Sequence, residues 1–457
     1  MNTNAIENLQ VLLAKALKNL RIEYAQSQQL TIHSYRTLLQ KCRSVYVSDE
    51  RHLARSIRPE ITEPKIKQEI LEAISRELSD FIRDGYILSA SIVSIGGSRT
   101  GGSPVENLLR NLLIRAVLDG PEGAAQAFDK CSTASSCTFQ QYFLLTGVTV
   151  PEKTEIFEGI DLIPLPMSVK HLPPYLPTIF PDPDPSPRVR IDDLLGKTLV
   201  RVNFEVSPIF HRPAETYTLD SGPDQHFTIM LRGAEIPNPN LDTICQALSV
   251  AGRRSVKSVM TWRSLSDYEM FDLSWGAGIG GSSFTAIQSD DFSDEPVRLN
   301  LAQLDKIKTI YRGLTDLPTE TWEKLRIPID RWAKSMAEDE PIDQIIDLGI
   351  ALEALYVPVG RSEVRYRLSL HAAWHLGNDK NHRHELYKEF QQFYDARSDA
   401  VHTGKLRGKR SKASFDVEKF TSRAQDLCWQ GIDKVIDAGD IPDWQDLIMG
   451  EERYQPT

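Results

Sequence analysis

The stretch that decides the fold is residues 384–402, HELYKEFQQFYDARSDAVH. At 100° per residue, Leu386, Phe390 and Phe393 lie on one stripe of a helix, and Arg397 continues that stripe within an arc of about 60°. Three apolar side chains on one face predict an amphipathic helix packed on a core. A charge on that face is costly unless it is paired or borders a cleft, so Arg397 is a candidate for a specific role.

A second helix carries the complementary charge. In residues 341–356, Ile342, Ile346 and Gly349 line one face, and Glu353 lies in the centre of that apolar stripe. Two inward-pointing charges of opposite sign predict that Glu353 and Arg397 meet. One interpretation is an ion pair that sets the register of the two helices, and the other is part of a ligand site.

The residues after Arg397 favour a ligand site. His402 follows five positions later near the helix end, where Gly404 lets the chain leave the helix. An arginine and a histidine placed in this way are predicted to reach one small ligand over the helix end. The next segment, 405–412 (KLRGKRSK), has no acidic residue and five basic ones: Lys405, Arg407, Lys409, Arg410 and Lys412. It is interpreted either as part of a phosphodiester site or as a solvated loop.

The charge of the chain is unevenly divided. The 457 residues carry a formal net charge of −10, which argues against a protein that coats nucleic acid with its whole surface, because such binding neutralises phosphates. Residues 361–412 contain 12 Lys and Arg against 6 Asp and Glu, a net of +6, so the remainder of the chain is −16. This local positive segment beside Arg397 and His402 suits a phosphodiester.

These residues resemble a known family. The element Arg397-Ser-Asp-Ala-Val-His402, followed by Thr-Gly, is similar to the R-x4-H active-site motif of HEPN ribonucleases. Three ordered segments resemble the ApeA-like branch of bacterial anti-phage proteins: 346–356 (IDLGIALEALY), 363–376 (EVRYRLSLHAAWHL) and 394–405 (YDARSDAVHTGK). The resemblance covers about residues 300 to 440, roughly a third of the chain.

The resemblance implies a helical bundle that dimerises, with two R-x4-H motifs facing each other across a shared cleft. It implies RNA cleavage without a metal or cofactor. Arg397 would hold the scissile phosphate and stabilise its developing charge, and His402 would act as general base or acid. The 2′-hydroxyl would attack, leaving a 2′,3′-cyclic phosphate and a 5′-hydroxyl. The chain departs from the family at Ser398, where Asn, Asp or His is common, and Asp399 lies one position further on.

The sequence therefore predicts a metal-independent endoribonuclease effector of bacterial antiviral, abortive-infection-type defence, which cleaves tRNA or mRNA in the cytoplasm. The expected partners are the RNA, a second copy bound through the C-terminal bundle, and a phage-derived or nucleic-acid trigger, with no membrane partner. The residues expected to act are Arg397 and His402 in catalysis, Glu353, Ser398 and Asp399 in support, and Lys405, Arg407, Lys409 and Arg410 in RNA binding. The alternative is a non-catalytic HEPN-like module for dimerisation or nucleic-acid binding in a defence complex.

The rest of the chain predicts an α+β fold, mainly α, in four segments. Residues 1–163 form a helical domain with helices at 5–20, 64–81 and 105–118. Nine prolines between 164 and 187 predict a boundary or an extended crossing over 164–190. Residues 191–295 form a mixed domain with a helix at 241–252 and strands at 197–206, 226–232, 270–275 and 283–287. Residues 296–457 form the HEPN-like bundle, with helices at 299–312, 319–337, 341–356, 363–377, 384–402 and 415–437.

Other candidate sites have simpler explanations. The glycine-rich stretches 96–103 and 276–281 lack a Walker ending and a strand–loop–helix context, so they are predicted to be turns or flexible loops. His371 and His375 share a helix face, but without an HExxH pattern or a nearby cysteine pair they predict a solvated face rather than a zinc site. The opposite stripe holds Tyr366, Leu370, Ala373 and Trp374. There is no apolar run of about 18 residues and no pattern of a secretory signal.

Overall fold

The chain forms two units of helices and short strands. A computed structural model describes residues 3–24, 28–44, 53, 57–83, 86–88, 99–100, 102–133, 137–173, 176, 191–206, 216–219, 228–231, 241–265, 283–284, 296–357, 363–406 and 416–450. The first unit comprises Met1–Leu145, Glu158–Pro239 and Ser258–Ser293, and the second comprises Thr146–Phe157, Asn240–Lys257 and Asp294–Thr457. Helices predominate, which confirms the predicted α+β, mainly α class.

The elements are labelled in chain order. The helices are α1 (Thr3–Lys18), α2 (Ile32–Ser44), α3 (Pro64–Glu77), α4 (Val105–Thr133), α5 (Ile191–Leu194), α6 (Leu241–Gly252), α7 (Leu301–Asp316), α8 (Thr319–Ser335), α9 (Pro341–Tyr356), α10 (Val364–Leu376), α11 (Lys380–Thr403), α12 (Val417–Ala438) and α13 (Trp444–Met449). The strands are β1 (Leu20–Tyr24), β2 (Gln28–Gln29), β3 (Arg58–Ile61), β4 (Ile82–Arg83), β5 (Tyr86–Leu88), β6 (Arg99–Thr100), β7 (Gly102–Pro104), β8 (Cys137–Thr146), β9 (Val148–Thr149), β10 (Thr154–Phe157), β11 (Ile160–Pro164), β12 (Thr198–Val206), β13 (Thr216–Leu219), β14 (Thr228–Leu231), β15 (Lys257–Leu265), β16 (Ser283–Phe284) and β17 (Val297–Arg298).

In the first unit, α1, α3 and α4 share an apolar core. Leu13 of α1, Ile70 of α3 and Leu109 of α4 are among its buried members, in keeping with the predicted amphipathic patterns. Helix α4 is two helical segments joined across a kink, because Gly120 has φ 83° and Pro121 follows it.

The first unit also contains a sheet in the strand order β11-β12-β8-β15-β16. Strands β8 and β12 pair antiparallel over nine residues, from Leu145 opposite Thr198 to Cys137 opposite Val206. The Tyr142 ring of β8 stacks on Trp262 of β15 with centroids 5.4 Å apart. The core on this side of the sheet includes Leu165, Leu172 and Leu176 from the proline-rich segment.

The division of the chain into two units differs from the four segments predicted from the sequence. Residues 1–163 are not wholly helical: they contain β1 to β11, and β8 lies in the interior of the sheet. Residues 141–146 of β8 are buried without alternation, and periodicity alone cannot distinguish such an apolar run from a buried helix. The described part of 164–190 belongs to the first unit, and α6 belongs to the second, so 191–295 is not a separate unit. The predicted strand at 270–275 and the glycine-rich stretch 276–281 lie outside the described residues, as does half of 96–103. The other half of 96–103 belongs to β6 and β7 rather than to the predicted turn or loop.

The second unit is a helical bundle in which the six helices predicted between 299 and 437 are all confirmed to within a few residues. Capping groups explain several boundaries: Asn300 and Gln303 form a capping box at the start of α7, and the Asp379 side chain accepts from the amides that begin α11. Helix α9 packs against α8, α11 and α12, and α10 packs along α11. The ends of α9 and α11 therefore place Glu353 and Arg397 within reach of each other.

None of the helices in the described residues is long and apolar enough to cross a membrane.

Candidate functional site

The predicted meeting of Arg397 and Glu353 is confirmed. Arg397 Nη2 donates to Glu353 Oε2 at 3.4 Å, between α11 and α9. The side chains retain 24% and 27% of their exposure, so the pair lies at the edge of the bundle rather than in its core. Solvent can therefore reach part of both charged groups.

Gly349, one helical turn before Glu353, lets the arginine approach α9. A Cβ added at Gly349 would lie 3.0 Å from Arg397 Cβ and 3.2 Å from Cδ, and closer still to Cγ. The aliphatic stem of Arg397 thus occupies the space that a side chain at 349 would need. The role of Gly349 was not predicted from the sequence. Its position on the inward stripe of α9 is the feature of the sequence that points to a close helix contact there.

The guanidinium of Arg397 is incompletely paired. Within the described part of the chain, its Nε is buried and has no hydrogen-bond partner, and Glu353 is the partner of Nη2 alone. Charge-assisted N–H···O bonds are usually about 2.7–2.9 Å long, so the contact of 3.4 Å is weak. Burial raises the pKa of Glu353, and the nearby Arg397 acts in the opposite direction. The arginine therefore has donors available for a better anion.

His402 lies apart from this pair. It occupies the last turn of α11 and is exposed, and the helix ends where Gly404 takes φ 60° and donates its amide to Ala400. Five residues of helix separate two side chains by about 140° around the axis and about 7.5 Å along it. Arg397 consequently faces α9 while His402 faces solvent, so the two side chains leave α11 in different directions.

The remaining predicted site residues make few contacts. Ser398 and Asp399 are half-buried, and neither side chain forms a hydrogen bond or ion pair within the described residues. Lys405 is exposed. The other predicted RNA-binding residues, Arg407, Lys409 and Arg410, lie outside the described residues.

Part of the positive charge in 361–412 is already neutralised within the bundle. Arg365 of α10 forms two hydrogen bonds with Asp395 of α11, at 2.7 and 2.9 Å. These hydrogen bonds with Asp395 raise the pKa of Arg365. Arg383 lies over the Trp374 ring, 4.1 Å from its centroid. The net of +6 already counts Asp395 and is unchanged by this pair, but Arg365 and Arg383 are engaged within the bundle.

The prediction that His371 and His375 form a solvated face is wrong. Both are buried, and Tyr366 from the supposed apolar stripe is 52% exposed. His371 Nδ1 lies 2.7 Å from the carbonyl oxygen of Tyr356, and His375 Nδ1 lies 3.2 Å from the Tyr356 hydroxyl. The Trp444 ring of α13 stacks on His371 at 5.3 Å.

The physical reason for the error is α13, a six-residue helix with no periodic signal that supplies Trp444 as the covering group. Burial lowers the pKa of both histidines, that of His375 to about 3. They are neutral structural groups at neutral pH. No set of three or more His, Cys, Asp or Glu side chains in the described ranges is arranged to hold a metal ion.

No family model matches this chain, and no curated protein or solved structure is significantly similar to it. The likeness to HEPN ribonucleases therefore rests on the R-x4-H element and the three helical segments of this chain alone.

Proposed function

We propose that this chain is a metal-independent endoribonuclease effector of bacterial antiviral defence, acting in the cytoplasm as a homodimer through its second unit. The single observation that supports this best is Arg397, an under-paired guanidinium at the bundle edge five residues before an exposed histidine. In this proposal Arg397 binds the scissile phosphate, and His402 moves the proton of the attacking 2′-hydroxyl or of the leaving 5′-oxygen.

The directions of the two side chains support a site shared between two copies. Arg397 and His402 leave α11 about 140° apart, the first towards α9 and the second towards solvent. With two antiparallel copies, Arg397 of one and His402 of the other can face a common substrate. Lys405, exposed just past the helix end, would add a phosphate contact.

The test is cleavage of RNA by the purified full-length chain in EDTA, using total RNA and tRNA. We expect products with 2′,3′-cyclic phosphate ends, and a loss of at least about 100-fold in Arg397→Ala and in His402→Ala. Arg423→Ala is the matched control, because Arg423 is an arginine of the same bundle paired with Glu389 at 3.2 Å. Equal cleavage by all four proteins, or cleavage only with added divalent metal, would contradict the proposal.

A latent enzyme that awaits a trigger would give no cleavage in this assay. Growth arrest on overexpression in bacteria is therefore measured in parallel with the same four proteins. Arrest by the unmodified chain and Arg423→Ala, but not by the other two variants, is the expected result.

The second candidate is a non-catalytic dimerisation or nucleic-acid-binding module. It is favoured by the intrachain pairing of Arg397 with Glu353 and by the separation of His402 from that pair. It predicts that His402→Ala leaves the biological effect unchanged.

A further inference from the structure

We propose that Glu353 is a displaceable internal anion that occupies Arg397 in the resting chain, an autoinhibitory contact that an RNA phosphate replaces. This inference rests on the proposed function, because it concerns regulation of the same site. In this inference Glu353 opposes ligand binding at Arg397, rather than holding the arginine in position to bind a ligand.

The ion pair of Arg397 and Glu353 is weak. Two other arginine–carboxylate pairs of this unit are much shorter: Arg365 binds Asp395 through two hydrogen bonds of 2.7 and 2.9 Å, and Arg331 binds Asp347 at 2.7 Å. Arg397 and Glu353 share one bond of 3.4 Å, with Nε left unpaired and buried. A phosphate has enough oxygens to accept two parallel bonds from a guanidinium, so it can improve on this partner.

The position of Arg397 on α9 depends on its aliphatic stem rather than on its charge. The stem of Arg397 is held against Gly349, where an added Cβ would meet three of its carbon atoms. That contact involves no charge, so the arginine keeps its place on α9 without help from Glu353. What Glu353 adds is a carboxylate beside the guanidinium, which neutralises the cation and repels an incoming phosphate.

The pair of Arg397 and Glu353 is accessible from solvent. Both side chains keep about a quarter of their exposure, so a ligand can approach the pair from solvent. Glu353 is also partly desolvated, and burial raises its pKa, which means that the bundle already disfavours its charge.

The experiment measures binding without cleavage. The probe is a fluorescein-labelled single-stranded RNA of about ten nucleotides, 2′-O-methylated throughout so that it cannot be cut, and the readout is fluorescence anisotropy of the full chain in EDTA. The variants are Glu353→Gln, Arg397→Ala and the double variant. Glu389→Gln is the matched control, because Glu389 lies on α11, pairs with an arginine at 3.2 Å, and its replacement changes the net charge equally.

We expect Glu353→Gln to bind the probe about tenfold more tightly than the unmodified chain. Glu389→Gln should stay within about twofold, as expected for a pair on the surface. The double variant should bind no better than Arg397→Ala, because the gain requires the arginine. Unchanged or weaker binding by a folded Glu353→Gln overturns the inference.

Folding is checked by circular dichroism and thermal unfolding. If Glu353→Gln does not fold, Glu353→Ala decides, since it also removes the carboxylate from beside Nη2: a tighter complex supports the inference, and an unchanged or weaker one overturns it. The two proposals fail differently. If Arg397→Ala loses binding but the Glu353 variants gain none, only the proposed inhibitory contact is contradicted. If Arg397→Ala binds the probe unchanged, the proposed phosphate site is contradicted as well.

Discussion

Gly349→Ala tests the contact on which the candidate site depends. The added methyl group would lie 3.0 Å from Arg397 Cβ, 3.2 Å from Cδ and closer to Cγ. These atoms are at the base of the side chain, so Arg397 must change rotamer or α9 and α11 must separate. Overpacking of this kind costs about 1–3 kcal/mol, whereas alanine in place of glycine inside a helix is worth about 0.5–1 kcal/mol. We expect a net loss of about 0.5–2 kcal/mol.

The assay is thermal unfolding of the full chain followed by tryptophan fluorescence, combined with a double-mutant cycle. For a unit of this size the loss corresponds to a fall of about 1–8 °C in Tm. In the Arg397→Ala background Cγ and Cδ are gone, so Gly349→Ala should be near neutral there. Stabilisation of the unmodified chain by Gly349→Ala, or an equal loss in both backgrounds, would refute the close approach of Arg397 to α9. The RNA cleavage rate should fall with the displacement of the arginine.

Two further predictions concern the buried histidines. Trp444→Ala should destabilise the second unit by about 3 kcal/mol in urea titrations and make His371 and His375 reactive towards diethylpyrocarbonate, because the indole covers both imidazoles. For His375, the pKa of about 3 in the fold lies below the unfolded value, so the unfolded chain binds the extra proton between the two. The contribution of neutral His375 to the free energy of unfolding is complete above about pH 6.5, and it declines by up to about 1.4 kcal/mol per pH unit on acidification. His375→Gln should therefore make the urea midpoint less dependent on pH between about pH 6.5 and 5. An unchanged pH dependence would contradict the burial of a neutral His375.

Helical periodicity was sufficient to predict the pair at the site. Arg397 and Glu353 stand on long helices with regular apolar stripes, so their inward direction follows from 100° per residue. The same arithmetic places His402 about 140° from Arg397 on α11, directed to solvent rather than to α9. The close approach at Gly349 depends on the distance between α9 and α11, which periodicity does not contain.

Contacts between distant segments account for the features that sequence reasoning missed. The burial of His371 and His375 requires Trp444, about 70 residues further on, in a helix too short to show a period. Strand β8 pairs with β12, and the proline-rich segment lies between the two strands in the sequence. The buried run in β8 is continuous, so it lacks the alternation of apolar and polar residues that identifies a strand from sequence. In both cases tertiary partners, rather than local propensity, decide the environment.

Glycine at 349 and glutamate at 353 act on different properties of the same arginine. They stand one turn apart on α9, so the stem of Arg397 crosses the first while its guanidinium reaches the second. If the pair served only to set the register of two helices, Glu353→Gln and Gly349→Ala would lower stability together and neither would improve RNA binding. If the arginine is instead held ready by the stem contact and restrained by the carboxylate, Gly349→Ala lowers stability and cleavage, whereas Glu353→Gln raises affinity with little change in Tm. The two substitutions measured side by side therefore distinguish a structural ion pair from a restrained anion site.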